Sequence, residues 1–390
     1  MQNPKGCWRQ CISAALAIFC TIGLNVNGFS VYIPYLKELL QLTFNQSSSF
    51  LTVRNLFSVA GVFAAKYYYE KLDIRLGYLL VLLLNVVALY LFSIAPNFGM
   101  ICIAASLSGI TYGLGGIYPA ALLIHRWFPR HEGLAMGFCA ASSGLAITVA
   151  APIITRLTEN FSMQYAMNCE MVFLLACLVI CFCLTRNYPA GTMHFITHHH
   201  TKIHPLRLNG MVLAIISIGV MGGAFSYLTI HYTTEGFDPY KVSNIVSIIG
   251  IVLTGAKFIL GELFDRIGAY KTNWIFLILA IISCFCFAIG ATAGYTIALI
   301  AAVLYGIGDA VATVGITAYA RDLSRPEKYA DTQQQYQTAC LIGGLISTFL
   351  PGPIATFTGN YRLYFLVITV LMVFATFVIQ FTYRKKMQTK

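Results

Sequence analysis

A turn between two apolar runs carries the sequence Gly261-Glu262-Leu263-Phe264-Asp265-Arg266-Ile267-Gly268-Ala269-Tyr270-Lys271, which has the pattern G-x-L-x-D-R-x-G-x-x-K. Glycine at such a turn lets two helices approach closely, and Asp265 and Arg266 can bridge neighbouring helix ends. The corresponding place in the first half of the chain, residues 66–75, keeps the charge pattern with Glu70 and Lys71 but lacks both glycines. The recurrence predicts a chain built from two related halves.

The composition is typical of a membrane protein. Of the 390 residues, 58% are hydrophobic and 10% are charged, whereas soluble proteins have about 45–50% and about 25%. A soluble protein of this size could not bury so much apolar surface, which excludes a soluble enzyme, a nucleic-acid-binding protein and a disordered chain. Most of the twelve cysteines lie inside apolar runs, and the His-rich run at 194–204 fits no closed metal site. We therefore expect neither a metal nor a cofactor.

A helix that crosses a bilayer core of about 30 Å needs roughly 20 apolar residues. The sequence has twelve such runs, at residues 11–36, 47–69, 75–95, 98–124, 133–156, 163–186, 208–232, 241–264, 272–292, 295–320, 330–356 and 361–383. They predict an all-α membrane protein with twelve transmembrane helices in two pseudo-symmetric six-helix halves, residues 1–187 and 208–390. Residues 188–207 form a polar, basic linker, and the short connections leave no room for an extramembrane domain.

The basic residues predict the orientation in the membrane. Nineteen lysines and arginines fall at one set of helix ends and four at the opposite ends, and cytoplasmic loops are the ones enriched in these residues. We therefore expect a multi-pass protein of the cell membrane (the inner or plasma membrane) with both termini and the linker in the cytoplasm. The remaining two, Arg54 and Lys257, fall inside the predicted helices.

Two segments resemble known transporters. The loop at 261–271 resembles the signature loop of the major facilitator superfamily, and residues 125–138 resemble the R-W-F-P-x-x-R-G-L-A-x-G-F segment of its oxalate:formate antiporters and monocarboxylate transporters. Glu132 stands where that group has arginine, so one charge is inverted. The resemblance implies the major facilitator fold and cytoplasmic gating loops, formed here by Gly261, Asp265, Arg266, Glu70, Lys71, Arg126 and Arg130.

Lys257 is the main candidate for substrate binding. A basic side chain inside a membrane is costly, by about 2.5–3.5 kcal/mol on insertion scales, and such residues usually face a cavity or a partner. In the transporters that the chain resembles, the position aligned with Lys257 holds an arginine that pairs with the carboxylate of the substrate. Lysine supplies the charge without the bidentate geometry. The alternative is a lysine whose amino group reaches the cytoplasmic interface.

Three other charged residues lie inside predicted helices. Arg54 could be a second anion ligand, the partner of an acid in a gate, or a side chain that reaches the outer headgroups. Asp309, between Gly306 and Gly308, could pair with Lys257 or carry a proton, and Glu170 could do the same or be a packed acid nearer the outer end.

Two departures from the related transporters bear on the substrate. Leu253 replaces an aspartate that proton-coupled monocarboxylate transporters carry, and the counterpart of a lysine in the eleventh helix lies near Tyr336 or Gln337. A pocket that has lost one of two cations should favour monoanions over oxalate. Tyrosine offers an apolar wall with one hydroxyl, and we expect Tyr32, Tyr118, Tyr227 and Tyr336 to line the cavity. Gln337 could hydrogen-bond the carboxylate without adding charge.

The sequence therefore predicts a secondary active transporter that moves a small organic monocarboxylate by alternating access. Coupling to protons and exchange for another anion both remain open. The alternatives are a carrier for another anion (a larger amphipathic acid, oxalate or a nitrate-like ion) and an anion sensor that does not transport. No nucleophile or metal cluster is predicted at the midplane, so we do not expect an enzyme. The expected partners are the anion, the lipid bilayer and, for symport, protons; we expect a monomer and no nucleic acid.

Overall fold

The computed structural model describes residues 6–128, 132–187, 208–325 and 329–388, and these contain no β-strand. Twelve helical segments are long and apolar enough to span a membrane. They are numbered here as spans 1–12: Cys7–Val31, Phe44–Ala65, Ile74–Ser93, Phe98–Ile124, Ala135–Asn160, Met163–Leu184, Gly210–Thr234, Pro239–Phe264, Ala269–Gly290, Tyr295–Leu323, Gln335–Thr358 and Arg362–Gln388. The predicted all-α fold with twelve spans is confirmed, with ends that differ by a few residues.

The described residues contain seventeen α-helices, one of which, Ile33–Leu39, lies between spans 1 and 2. These are Cys7–Ile18, Ile33–Leu39, Phe44–Lys71, Ile74–Ser93, Phe98–Gly115, Ile117–Trp127, Glu132–Asn160, Met163–Leu184, Gly210–Gly223, Leu228–Thr234, Pro239–Ile267, Ala269–Ala293, Tyr295–Gly308, Val314–Leu323, Tyr329–Phe349, Pro351–Thr358 and Arg362–Gln388. Because the number of spans is even, span 1 begins and span 12 ends at the same end of the bundle. We call this the terminal end and the opposite one the far end.

Short polar side chains set where several spans begin. Thr43 and Gln46 form a reciprocal capping box at span 2, and Asn97, Ser162 and Asn209 each accept a hydrogen bond from the first turn of spans 4, 6 and 7. Such caps satisfy backbone N–H groups that a helix leaves unpaired at its start. Chain direction therefore reverses within a few residues, which keeps consecutive spans side by side.

The loop that follows span 8 contains a single residue between two helices. Gly268 has φ +81°, a backbone conformation that favours glycine, and it separates Ile267 from Ala269. Arg266 pairs with Glu262 on its own helix at 2.5 Å, and the predicted bridge between helix ends remains a prediction. The side chain of Asp265 lies outside the described residues.

Spans 1, 4, 7 and 10 are each interrupted near the middle. Span 1 continues from its α-helix into a π-helix at Phe19–Asn27, and span 4 breaks at Gly116. Spans 7 and 10 contain 3-10 turns at Ala224–Tyr227 and Asp309–Ala312. The interruptions recur every third span, which is the periodicity expected of repeated three-helix units. Irregular turns inside transporter helices commonly mark binding sites, because they free backbone polar groups.

The two halves close the far end of the bundle. The Thr229 hydroxyl donates to the Ser30 carbonyl oxygen across the halves. Gly352 of span 11 lies so close to span 2 that a Cβ there would be 2.8 Å from the Cβ of Ser48. At the terminal end, within the described parts of the chain, neither Ile117–Trp127 of span 4 nor Val314–Leu323 of span 10 packs extensively on the opposite half. The closed far end places access to the centre at the terminal end.

Among the described residues, spans 5 and 8 form the most extensive contact between the two halves. A Cβ on Gly250 would lie 2.7 Å from the carbonyl oxygen of Gly144, and one on Gly144 would lie 2.3 Å from Thr254 Oγ1. Small residues are what allow two membrane helices to pack at such short range. This crossing and the far-end contacts join the two halves.

Candidate functional site

Two charged residues lie halfway along their spans, on opposite sides of the interrupted segment of span 7. Arg54 is at the middle of span 2 and Asp309 is at the middle of span 10. Arg54 reaches Ser226, inside the 3-10 turn of span 7, whereas Asp309 faces Gly222, just before that turn. The turn thus has a cation near one end and an anion near the other.

Arg54 is 1% exposed and has few partners for its donors. Its Nη2 lies 3.5 Å from Ser226 Oγ, and its Nε and Nη1 have no hydrogen-bond partner among the described residues. The Phe29 ring centroid is 5.7 Å from its Cζ. A guanidinium has five N–H donors, so most of this hydrogen-bonding capacity is unused.

Asp309 begins the 3-10 turn that interrupts span 10. Its Oδ1 is buried and has no partner among the described residues, and it lies 3.3 Å from where a Cβ on Gly222 would be. Lys257 of span 8 interacts with Asp309 electrostatically, yet no ion pair within 4.0 Å joins them. The aspartate is therefore close enough to a cation to respond to it and keeps a free acceptor oxygen.

Lys257 lies nearer the terminal end than the other two charges. Lys257 lies between five and six residues beyond the middle of span 8, on the side of the terminal end. This corresponds to about 8 Å along the helix axis, at about 1.5 Å per residue. Gly306, one turn before Asp309, packs against Leu253 and the carbonyl oxygen of Ile249. This close crossing of spans 8 and 10 brings Lys257 and Asp309 together within one half. Lys257 is half-buried.

Glu170 and Tyr32 contact each other. The Tyr32 hydroxyl donates to Glu170 Oε2 at 2.9 Å, and Tyr32 is fully buried. Spans 1 and 6 supply these residues, so the pair lies within the first half, and no described hydrogen bond connects it to Lys257 or Asp309. Their predicted role in the cavity remains a prediction.

The other predicted cavity residues lie in different places. Tyr227 is buried beside Arg54 and donates to the Thr348 carbonyl oxygen at 2.7 Å. Tyr118 is half-buried, with its ring 6.4 Å from that of Tyr69. Tyr336 and the exposed Gln337 lie in the first turn of span 11, at the terminal end. Tyr336 lines a cavity of about 870 Å³ there.

The predicted gating residues lie at the terminal end. Lys71 is exposed at the end of its helix, Arg126 is half-buried near the end of span 4, and Gly261 is one turn from Lys257. The side chains of Glu70 and Asp265, and all of Arg130, lie outside the described residues.

A polar network in spans 1 and 4 was not predicted. Asn25 Nδ2 donates to the Ser108 carbonyl oxygen at 2.9 Å and to Thr111 Oγ1 at 3.0 Å, and the Ser108 hydroxyl donates to Asn25 Oδ1 at 2.7 Å. Asn25 lies in the π-helix of span 1. An asparagine inside a long apolar run was the available signal, since such residues usually bond to a neighbouring helix.

The described residues contain no group of three or more His, Cys, Asp or Glu that could hold a metal ion. The histidines at 194–204 lie outside them. Polar and charged groups at the midplane, facing interrupted helices, can bind a small charged solute and release it when the surrounding helices move.

A sequence model of the Major Facilitator Superfamily matches residues 15–348. MFS-type transporter 1 of Ophiocordyceps sp. (strain BCC 1869) is 20% identical over 320 residues, which cover 79% of this chain and 70% of that protein. The structure of nucleoside transporter NupG superposes with a TM-score of 0.77 at 13% identity, covering 97% of this chain and 99% of that one. The inward-facing, unoccupied structure of a bacterial homolog of the human lysosomal transporter Spinster superposes with a TM-score of 0.76 at 12% identity and covers 98% of each chain. At such identities these structures establish the fold alone.

Proposed function

Because the chain belongs to the Major Facilitator Superfamily and so moves a solute across a membrane by alternating access, we propose that this solute is a small organic monocarboxylate. The chain is a multi-pass membrane protein with a transport role. We also propose that the protein lies in the cell membrane. Both termini, and with them the terminal end of the bundle, would then face the cytoplasm.

The charge balance around the interrupted spans carries the proposal. Arg54 and Lys257 contribute two positive charges and Asp309 one negative charge, so the empty site has one positive charge in excess. Intramembrane charges are costly unless they are paired, and one monoanion would neutralise this site. Neutral solutes would leave the excess charge in place.

In the proposed mechanism Lys257 binds the carboxylate that enters from the terminal end. Its ammonium group supplies three donors and interacts with Asp309 until the anion takes over that role. The halves then rock about the crossing of spans 5 and 8, which opens the far end and closes the terminal end.

The membrane potential opposes inward movement of an anion, so transport must be coupled to the movement of another ion. Moving one negative charge inward against 100 mV costs about 2.3 kcal/mol. A proton carried with each anion, or a second anion carried outward, removes this cost. Asp309 is the proposed proton carrier, because its free buried oxygen can accept a proton when the lysine binds substrate. If the carrier only exchanges one anion for another, Asp309 carries no proton and its negative charge only compensates the positive charge of Lys257.

Uptake of radiolabelled lactate into proteoliposomes tests the proposal, with Lys257→Gln and Lys257→Arg as variants. Lactate should be transported by the wild type, lost in Lys257→Gln and partly retained in Lys257→Arg, because arginine keeps the charge. Melting temperature in detergent controls for folding. Oxalate should compete poorly, since one excess positive charge neutralises a monoanion but not a dianion.

Normal uptake by Lys257→Gln would remove Lys257 from the site. Transport of a neutral nucleoside with no transport of any organic acid would contradict the proposed substrate class. Tight competition by oxalate would instead favour a carrier of dianions, the second anion class that the charges allow.

A further inference from the structure

Arg54 is a buried cation whose hydrogen-bonding capacity is not used in this conformation. It is 1% exposed, Nε and Nη1 have no partner among the described residues, and the Ser226 contact of Nη2 is at the 3.5 Å limit. Burying an ionised group without partners destabilises a protein, because the lost hydration is not replaced. The cost is offset whenever an anion reaches the guanidinium.

No acid in the described part of the chain fills that role. The titratable groups found around Arg54 are the neutral hydroxyls of Tyr112 and Tyr227, and no described carboxylate is among them. Of the acids in the spans, Asp309 and Glu170 lie nearest the middle: Asp309 faces Gly222 and interacts with Lys257, and Glu170 accepts the hydrogen bond from Tyr32. A structural ion pair therefore does not explain the arginine.

The position of Arg54 links it to the closure at the far end. Its side chain crosses from span 2 of the first half to Ser226 of the second half. The next residue, Asn55, donates to the Gly344 carbonyl oxygen at 3.2 Å, and Ser48 packs against Gly352 nearer the far end. Separating span 2 from spans 7 and 11 would break these contacts and expose Arg54 to solution from the far side.

The surroundings of Arg54 suit an organic anion. The Phe29 ring lies 5.7 Å from its Cζ, and Tyr112 and Tyr227 are near enough to interact with its charge. A guanidinium binds a carboxylate with two parallel hydrogen bonds, and aromatic rings provide an apolar wall for a short carbon chain.

Arg54 and Lys257 occupy different depths. When Glu70-Lys71 is aligned with Asp265-Arg266, Lys257 corresponds to residue 62 of the first half. Arg54 is eight residues farther from the terminal end than that position, or about 12 Å along a helix. Each half therefore carries one cation deep within its spans, and the one in the first half lies nearer the far end.

We propose that Arg54 is the carboxylate-binding residue of the far-side-open conformation, which receives the anion from the far side and passes it to Lys257. This inference rests on the proposed transport of organic monocarboxylates and assigns the two directions of entry to two residues. Arg54 would govern affinity for substrate at the far face, and Lys257 would govern affinity at the terminal face.

Right-side-out and inside-out membrane vesicles test this assignment with lactate exchange against saturating lactate on the opposite side. Arg54→Gln should raise KM at the far face at least about tenfold and change KM at the terminal face less than about threefold. Arg54→Lys should lie between, because it keeps the charge and loses the bidentate geometry. It also serves as the folded variant if Arg54→Gln is not recovered.

Asn55→Ala is the matched control, since it removes a neutral contact across the same interface. The assignment would be overturned if Arg54→Gln or Arg54→Lys changed KM equally at both faces or at neither face. It would also be overturned if Asn55→Ala showed the same asymmetry in KM. Each of these results would leave the proposed function intact. Absence of organic-anion exchange in the wild type would instead overturn the proposed function, and this inference with it.

Discussion

At the scale of single residues, Asp309 differs from Glu170, the other acid near the middle of a span. Glu170 accepts a 2.9 Å hydrogen bond from a buried tyrosine, whereas Oδ1 of Asp309 is buried without a partner at the start of an irregular turn. An acid with an unused oxygen beside a lysine can gain or lose a proton as the lysine exchanges partners. An acid that is already hydrogen-bonded away from the interrupted segment of span 7 has no such trigger.

Asp309→Asn should therefore abolish accumulation of lactate driven by a pH gradient and retain exchange between preloaded anions at more than about half the wild-type rate. The amide keeps the shape of the side chain but cannot carry a proton. Uptake into proteoliposomes at pH 6 and pH 8 outside, with and without internal lactate, measures both activities.

Glu170→Gln provides the comparison, because it removes a carboxyl group at a place where the structure already satisfies it. We expect it to keep acid-stimulated accumulation. If Glu170→Gln loses that stimulation and Asp309→Asn retains it, the proton travels through the first half of the bundle.

At the scale of elements, the crossing of spans 5 and 8 depends on a glycine. A Cβ on Gly250 would lie 2.6 Å from Ile147 Cγ2 and 2.7 Å from the Gly144 carbonyl oxygen, and one on Gly255 would meet nothing within 4 Å. Both residues are in the helix Pro239–Ile267, so alanine favours helix formation at either by up to about 1 kcal/mol. The two substitutions therefore differ only in the space that they fill.

Gly250→Ala should lower the melting temperature and reduce transport several-fold, because overpacking typically costs about 1–3 kcal/mol. Gly255→Ala should leave transport unchanged and melt at or above the wild-type temperature. Thermal unfolding in detergent, followed by uptake assays, checks both. Similar behaviour of the two variants would show that the crossing tolerates a wider separation.

The twelve spans were predictable from sequence because burial in lipid requires long apolar runs, whatever the tertiary contacts. The turn at Gly268 was likewise predictable from local chemistry. The interruptions in spans 1, 4, 7 and 10 were not, since hydropathy is the same for an α-helix and a 3-10 turn. Ala224–Tyr227 contains no proline and no glycine that would signal a break.

The site was predictable only as a set of residue types. Intramembrane charge identified Arg54, Lys257 and Asp309, and a pairing of Asp309 with Lys257 was one expectation. The Arg54 contact with Ser226 was not expected, because it joins residues 172 positions apart. Tyr32 and Glu170 were each candidates for the cavity, and their mutual hydrogen bond depends on how spans 1 and 6 pack. Contacts of this kind are set by tertiary structure, which periodicity does not report.

At the scale of the whole molecule, the closed far end and the weak packing of spans 4 and 10 at the terminal end define one half of a transport cycle. Alternating access requires Ser48 and Gly352 to separate in the other half. The pair Ser48→Cys with Gly352→Cys should therefore trap the closed far end when oxidised. Uptake should fall at least tenfold, and a reducing agent should restore it.

The single substitutions Ser48→Cys and Gly352→Cys are the controls, and oxidation should leave each of them active. A disulfide spans about 3.5–4.5 Å between Cβ atoms, against 2.8 Å here, so the helices must relax slightly to form it. Full uptake by the demonstrably cross-linked protein would mean that the far end stays shut during transport.

The interrupted spans carry a further consequence for how such carriers diversify. An irregular turn presents main-chain carbonyl and amide groups that mutation does not delete. A lineage can replace the side chains around Phe19–Asn27, Ala224–Tyr227 and Asp309–Ala312 and still keep ligands for a new solute. The fold thus retains main-chain hydrogen-bonding groups that can bind many solutes, and a few ionisable side chains determine which solute is bound.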